Sequence, residues 1–291
     1  MPKKIRVGSR ESKLAVLQSE IVINIIKNNC PDYEIELITM KTTGDKILDK
    51  TLDKVGGKGL FIKELDYALL EGDVDITVHS LKDVPMTIDE RLPLSAFTKR
   101  ASPYDVLVLP NGVSEIDFSK PVGSSSMRRG IQFKKLFPEA EIKSIRGNVI
   151  TRLNKLDNGE YSALILAEAG LMRLGLEKRI SRVFSAGEIV PAAGQGVIAI
   201  QTRKEDNFEF FKYINDADSE IRSKAERAFV KEFNGGCSSP IAAFAELIGD
   251  EIELIGFYAA GDISEVRKIR GNVKDAESLG VKLAYEIKRG F

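Results

Sequence analysis

Short runs rich in β-branched residues alternate with segments of helical period through most of this chain, and that alternation limits the fold more than any other feature. Residues 4–7 read as a strand followed by Gly8-Ser9-Arg10, after which Leu14, Leu17, Ile21 and Ile25 recur at the spacing that marks one helical face. Residues 35–40 read as the next strand, and residues 61–70 as a helix returning to a strand over 74–78. Strand, helix and strand in succession predict βαβ units and a parallel or mixed sheet. A second unit restarts near Thr98, with strands at 105–109, 120–123, 141–145 and 162–166 and helices ending at Leu136 and spanning 148–156. The apolar run 197–201 is placed to rejoin the first unit's sheet. From Ser219 the pattern changes to a helix, strands at 241–248 and 251–259 around Gly249-Asp250, a third strand near 266–270, and a last helix over 275–288. The expected fold class is α/β: two α/β lobes around a cleft, residues 1–96 with 196–214 and residues 97–195, plus a small C-terminal α+β domain over residues 215–291.

Lys and Arg total 43 and so do Asp and Glu, so no net field recruits nucleic acid or an anionic membrane. Affinity for anions must come from local clustering. No run of about 18 apolar residues occurs, and the basic N-terminus lacks a following apolar stretch. A cytoplasmic protein is expected. Cys30 and Cys237 are too few for a disulfide framework or a cysteine-rich zinc site, and His79 is the only histidine, so no metal is expected.

Three groups of residues carry chemistry. HSLKDVP (79–85) runs off the end of the 74–78 strand, the edge where open α/β sheets bind ligands. Asp83 there is a candidate for handling a proton or a developing cation, with Lys82 beside it; a solvated Lys-Asp pair is the plain alternative. In GSSSMRR (123–129) a strand opens into a helix, so Ser124, Ser125, Ser126, Arg128 and Arg129 converge with backbone N–H groups on a positive helix end. Arg146 with Arg152, and Arg10 with Ser12, repeat that placement. Guanidiniums from both lobes would then point into one cleft suited to a ligand with several acidic groups, since planar forks hold carboxylates bidentately. Cys237 follows Gly235-Gly236, which clears side chains away and leaves the sulfur reachable; a small buried hydrophobe is the alternative. Residues 41–60, with Gly44, Gly56, Gly57 and Gly59, read as a loop able to cover the cleft. They lack the GxxxxGK[ST] spacing, and nucleotide binding is rejected.

Taken together, KVGGKGLF (54–61), HSLKDVP (79–85), GSSSMRR (123–129), RGN with TR (146–152), PAAGQG (191–196) and GGCSSP (235–240) resemble the hydroxymethylbilane synthase, or porphobilinogen deaminase, family over nearly the whole chain. The resemblance implies a transferase of tetrapyrrole and heme biosynthesis that joins four porphobilinogen molecules head to tail with release of ammonia. It implies a dipyrromethane cofactor attached through Cys237 by a thioether, so that the sulfur is an anchor. It implies catalytic roles for Asp83, Lys82 and Arg10. Cofactor contacts are implied for Lys82, Asp83, Ser124, Ser125, Ser126, Arg128, Arg129, Arg146 and Gly147. Substrate contacts are implied for Arg10, Ser12, Phe61, Arg146, Arg152 and Gln195, and the protein is expected to be a monomer. The lobes also resemble periplasmic-binding-protein folds, so a noncatalytic two-lobed binder of polycarboxylates is the alternative; that likeness carries no function by itself.

Overall fold

The computed structural model describes residues 3–46, 59, 62–235 and 239–291. Strand β1 (Lys3–Arg10) pairs in parallel with β2 (Tyr33–Met40) on one side and β3 (Ile76–Ser80) on the other. Helices α1 (Lys13–Asn29), α2 (Thr43–Lys46) and α3 (Lys63–Leu70) lie between them in sequence. Beyond β4 (Leu94–Phe97) the chain leaves this sheet and returns as β10 (Ile198–Gln201), which inserts antiparallel between β3 and β4. The return strand expected at 197–201 is therefore present.

The second sheet repeats the plan. Strand β6 (Val122–Gly123) is parallel to β7 (Ile142–Lys143) and β8 (Ala163–Ala167), while β5 (Asp105–Val108) runs antiparallel between β8 and β9 (Arg182–Val183). Its helices are α4 (Met127–Leu136), α5 (Val149–Asp157) and α6 (Glu168–Arg173). In each lobe the antiparallel strand is the one laid down just after the chain crosses over: β5 on arrival, β10 on return. Both sheets are thereby oriented with the carboxyl ends of their parallel strands toward one cleft.

Two expectations need correction. The buried face of α1 is Ala15, Gln18, Ser19, Val22, Ile23 and Ile26, while Ile21 is 38% exposed. The helix is apolar on more than one side, and the face that wins is the one meeting Ile5, Val7, Ile76 and Val78 of the sheet. Strand β7 covers two residues of the five expected.

After α7 (Phe211–Ile214), the C-terminal unit opens with α8 (Ala217–Glu232), whose cap residue Asp216 accepts a 2.8 Å bond from Ser219 N. A meander of β11 (Ile241–Ile248), β12 (Glu251–Ala260) and β13 (Ile263–Asn272) follows, then α9 (Ala276–Lys288). Ala225 and Phe229 of α8 and Leu283 and Ile287 of α9 pack on Ile252 and Leu254 of β12 to form its core. Among the described residues no helix is long and apolar enough to cross a membrane.

The two interlobe crossings are bonded to each other. Thr98 N donates to Ile198 O at 2.9 Å and Ala101 N to Gly196 O at 3.2 Å. Gly196 has φ +92°, and a Cβ there would lie 2.5 Å from Ala101 O, so only glycine fits. At Gly194, φ +72°, a Cβ would lie 2.6 Å from Leu81 Cγ. The fully buried Glu226 of α8 closes this junction: it accepts from Gly194 N at 2.7 Å and Ala245 N at 2.8 Å and pairs with Arg100 at 2.6 Å. Arg100 Nε in turn donates to Gln195 O at 2.9 Å. Removing one partner of so buried a pair costs about 3–5 kcal/mol, because the other charge is stranded.

Candidate active site

Strand β3 ends in a single 3₁₀ turn, Leu81–Asp83, closed by Val84 N donating to Leu81 O at 3.1 Å. Leu81 is fully buried and its N donates to Val197 O at 3.0 Å, which anchors the turn on its inner side. Lys82 and Asp83 line a cavity of about 620 Å³ between the lobes, a size typical of ligand sites. Lys82 Nζ donates to Gln195 Oε1 at 3.3 Å. Burial, reinforced by Arg129, lowers the Lys82 ammonium to about 8, with Asp83 and Asp105 opposing. His79 does not line the cavity: its Nε2 lies 2.8 Å from Thr77 Oγ1, and burial drives it down to about 4, so the ring is neutral at physiological pH.

Across the cleft, the fully buried Asp105 at the start of β5 gathers three side chains. It accepts from Arg128 at 2.6 Å, from Arg129 Nε at 2.8 Å and from Gln195 Nε2 at 2.9 Å. Burial alone would raise its pKa; the two guanidiniums reverse this and hold the carboxyl well below the usual range. Two cations thus share one anion, leaving one net positive charge. Arg128 is further tied to Val190 O at 2.7 Å, and Arg129 reaches Ile165 O at 3.3 Å and Gln195 Oε1 at 3.4 Å.

The three serines differ in role. Ser124 is not in the cavity lining; its Oγ accepts from Ser126 N at 3.2 Å and shapes the turn. Ser125 lines the cavity with its Oγ bonded to Ile145 O, and Ser126 caps α4 by accepting from Arg129 N at 3.4 Å. Ser12 and Asn148 cap α1 and α5 in the same way, accepting from Ala15 N at 3.4 Å and Thr151 N at 2.9 Å. The positive helix ends anticipated from sequence are therefore already partly engaged by their own caps.

Arg10, Ser12, Arg146, Gly147, Arg152 and Gln195 all reach the lining. Arg152 Nε donates to Gly147 O at 2.8 Å, and burial, with Arg129 and Arg146 nearby, lowers its guanidinium to about 10. Arg173, which sequence reading missed, ends α6, donates to Gly196 O at 2.7 Å and is lowered by burial to about 10. Among the described residues neither Arg152 nor Arg173 has a carboxylate within 4.0 Å. Largely buried cations with no carboxylate in ion-pair contact mark a place where ligand acids complete the electrostatics. That chemistry suits a pyrrole cofactor bearing acetate and propionate groups.

Asp105 was also missed. An acid opening the apolar run of β5 was its one available signal, and its partners lie more than twenty residues away. Phe61 and Cys237 lie outside the described residues, as does most of 41–60; Lys41 and Gly44 line the cavity. Val230, Ser239 and Ile241 bring the C-terminal unit to the same lining.

The family model "Porphobilinogen deaminase, dipyromethane cofactor binding domain" matches residues 5–209, and "Porphobilinogen deaminase, C-terminal domain" matches residues 221–289. The chain is 61% identical over 289 residues to the porphobilinogen deaminase of Acetivibrio thermocellus, covering 99% of each. It is 58% identical over 286 residues to that of Alkaliphilus oremlandii, covering 98% of this chain and 97% of the relative. Among solved structures, the methionine binding protein MetQ aligns with a TM-score of 0.47 and 14% identity, over 73% of this chain and 89% of that one.

Proposed function

The chain belongs to the porphobilinogen deaminase family, and from that premise we infer how its residues divide the reaction among them. It is a transferase that condenses four porphobilinogen molecules head to tail, releases ammonia at each condensation and frees linear hydroxymethylbilane. The noncatalytic binding alternative is not favoured. Dipyrromethane, bound through Cys237, supplies the free pyrrole α-carbon from which the product grows.

Asp83 is the catalytic carboxylate of this reading. Loss of ammonia leaves the incoming porphobilinogen as a methylene pyrrole cation; Asp83 accepts from pyrrole N–H, opposes that positive charge, and takes at an Oδ the proton the condensation releases. Arg10, Ser12, Arg146, Arg152 and Gln195, with Phe61, serve the incoming unit, and Arg173 joins them. Lys82, Ser125, Ser126, Arg129, Arg146 and Gly147 serve the bound pyrroles. Arg128, held by Asp105, joins them from the same lining, and Ser124 acts from behind through the turn. The carrying observation is that Arg152 and Arg173, with no carboxylate within 4.0 Å among the described residues, line the cavity that also holds Asp83.

The reading keeps three units, residues 1–96 with 196–214, residues 97–195 and residues 215–291, supported by their separate sheets. It also keeps a cytoplasmic monomer, the monomer on the family resemblance alone, and no nucleic-acid or membrane partner, the latter supported by the even balance of 43 cationic and 43 anionic side chains. Intact-protein mass spectrometry tests the anchor. The purified protein should carry one added dipyrromethane, and Cys237→Ser should have the bare mass. A bare wild-type chain that releases ammonia from porphobilinogen at full rate would overturn the assignment of Cys237.

A further inference from the structure

We propose that Arg227 of α8 is a positioning residue for the condensation: its guanidinium holds the turn that presents Asp83 in register with α8. The proposal rests on the reading of Asp83 given above. Arg227 donates to Val84 O at 3.1 Å through one terminal nitrogen and to Pro85 O at 2.6 Å through the other. These are the two carbonyls that follow Asp83. A planar fork with two acceptors fixes the orientation of both peptide planes, which one flexible donor cannot do.

The opposite flank of the turn is held from the neighbouring residue of the same helix. Glu226 accepts from Gly194 N at 2.7 Å, and Leu81 packs where a Cβ on Gly194 would lie 2.6 Å from its Cγ. Met86, just past the turn, packs against the C-terminal core. Arg227 thus holds the segment carrying Asp83 directly and Glu226 holds it through Gly194, and α8 ends at Glu232, five positions before Cys237 in the sequence. One helix therefore holds both flanks of the segment that carries the catalytic carboxylate. Displacing a reacting group by about 1 Å can cost on the order of a hundredfold in rate, so the contact bears on turnover although Arg227 touches no reacting atom.

The test uses full-length protein carrying its cofactor, verified by intact mass. Arg227→Met keeps most of the stem and removes the fork. It should load cofactor, keep KM for porphobilinogen within about twofold and lose roughly 10- to 100-fold in kcat. Arg227→Lys, with one donor group, should fall between. The discriminating measurement is Arg227→Met combined with Asp83→Asn: if Arg227 acts through Asp83, the double variant turns over within about twofold of Asp83→Asn alone. A simple structural brace predicts that the two losses multiply, and that result overturns the proposal. So does an unchanged kcat in loaded Arg227→Met while Asp83→Asn is slow, which leaves the reading of Asp83 standing. Wild-type turnover in Asp83→Asn overturns both. Should Arg227→Met not load, Arg227→Lys is judged alone: kcat lowered at least about threefold at unchanged KM supports the proposal, and unchanged kcat overturns it.

Discussion

Gln195 Nε2 donates to Asp105 Oδ1 at 2.9 Å, so a residue at the interlobe crossing is fixed to the carboxylate that also holds Arg128 and Arg129. The opposite end of the same amide accepts from Lys82. The cation array of one lobe and the lysine of the other are thereby aligned through one buried acid.

Asp105→Asn removes that anion and strands two guanidiniums in a buried site. The unfolding free energy should fall by about 3–5 kcal/mol in urea titration, the usual loss when one partner of a buried pair is removed. The purified variant should also lack the cofactor mass. A loss well under 1 kcal/mol with full loading would show that Arg128 and Arg129 hold their places without Asp105.

Asp83→Asn keeps the shape of the side chain and removes its charge. Loss of one preorganised charged group commonly costs a factor of about 100 to 1,000 in kcat. The variant should still carry dipyrromethane by mass, and Asp83→Glu should retain part of the rate. Equal turnover by Asn and wild type would take Asp83 out of the chemistry.

Lys82, lowered by burial to about 8, is protonated below that pH and neutral above it. Its charge is therefore lost as pH rises from neutrality through 8, and KM for porphobilinogen should climb across that interval. Lys82→Arg keeps its proton throughout and should flatten the climb, whatever its effect on kcat. Parallel pH profiles for the two proteins would exclude Lys82 as the titrating group.

Among the described residues Asp66 Oδ1 on α3 and Gln201 Oε1 are buried without a hydrogen-bond partner. Burial, with repulsion from Asp89, raises the Asp66 carboxyl from 3.8 to about 6. The native state then binds more protons than the unfolded state between those values, so this group's contribution falls as pH rises through the window. Asp66→Asn should raise the melting temperature by about 2–4 °C near neutral pH and give no gain near pH 4, where wild-type Asp66 is itself neutral. A gain independent of pH would point to packing instead.

The outline of the fold is legible because its determinants are local. Residues 4–7, 35–40 and 241–248 alternate or are β-branched where β1, β2 and β11 form, and the caps Ser12, Ser126 and Asn148 stand where α1, α4 and α5 begin. What stays hidden is set at long range. The rotation of α1 depends on which of its apolar sides meets Ile5 and Ile76, and the role of Asp105 depends on Arg128, Arg129 and Gln195 arriving from other segments. Arg173 looks like any arginine at a helix end until the surrounding chain removes it from water.

The lone imidazole of His79, bonded to Thr77 on the strand that leads to Asp83 and neutral down to about pH 4, has a practical consequence. It gives the molecule a single imidazole ring-proton probe in solution NMR, silent to acid–base change across the working range. Any shift of that resonance as successive pyrrole units are added would register displacement of the sheet beneath the growing oligomer.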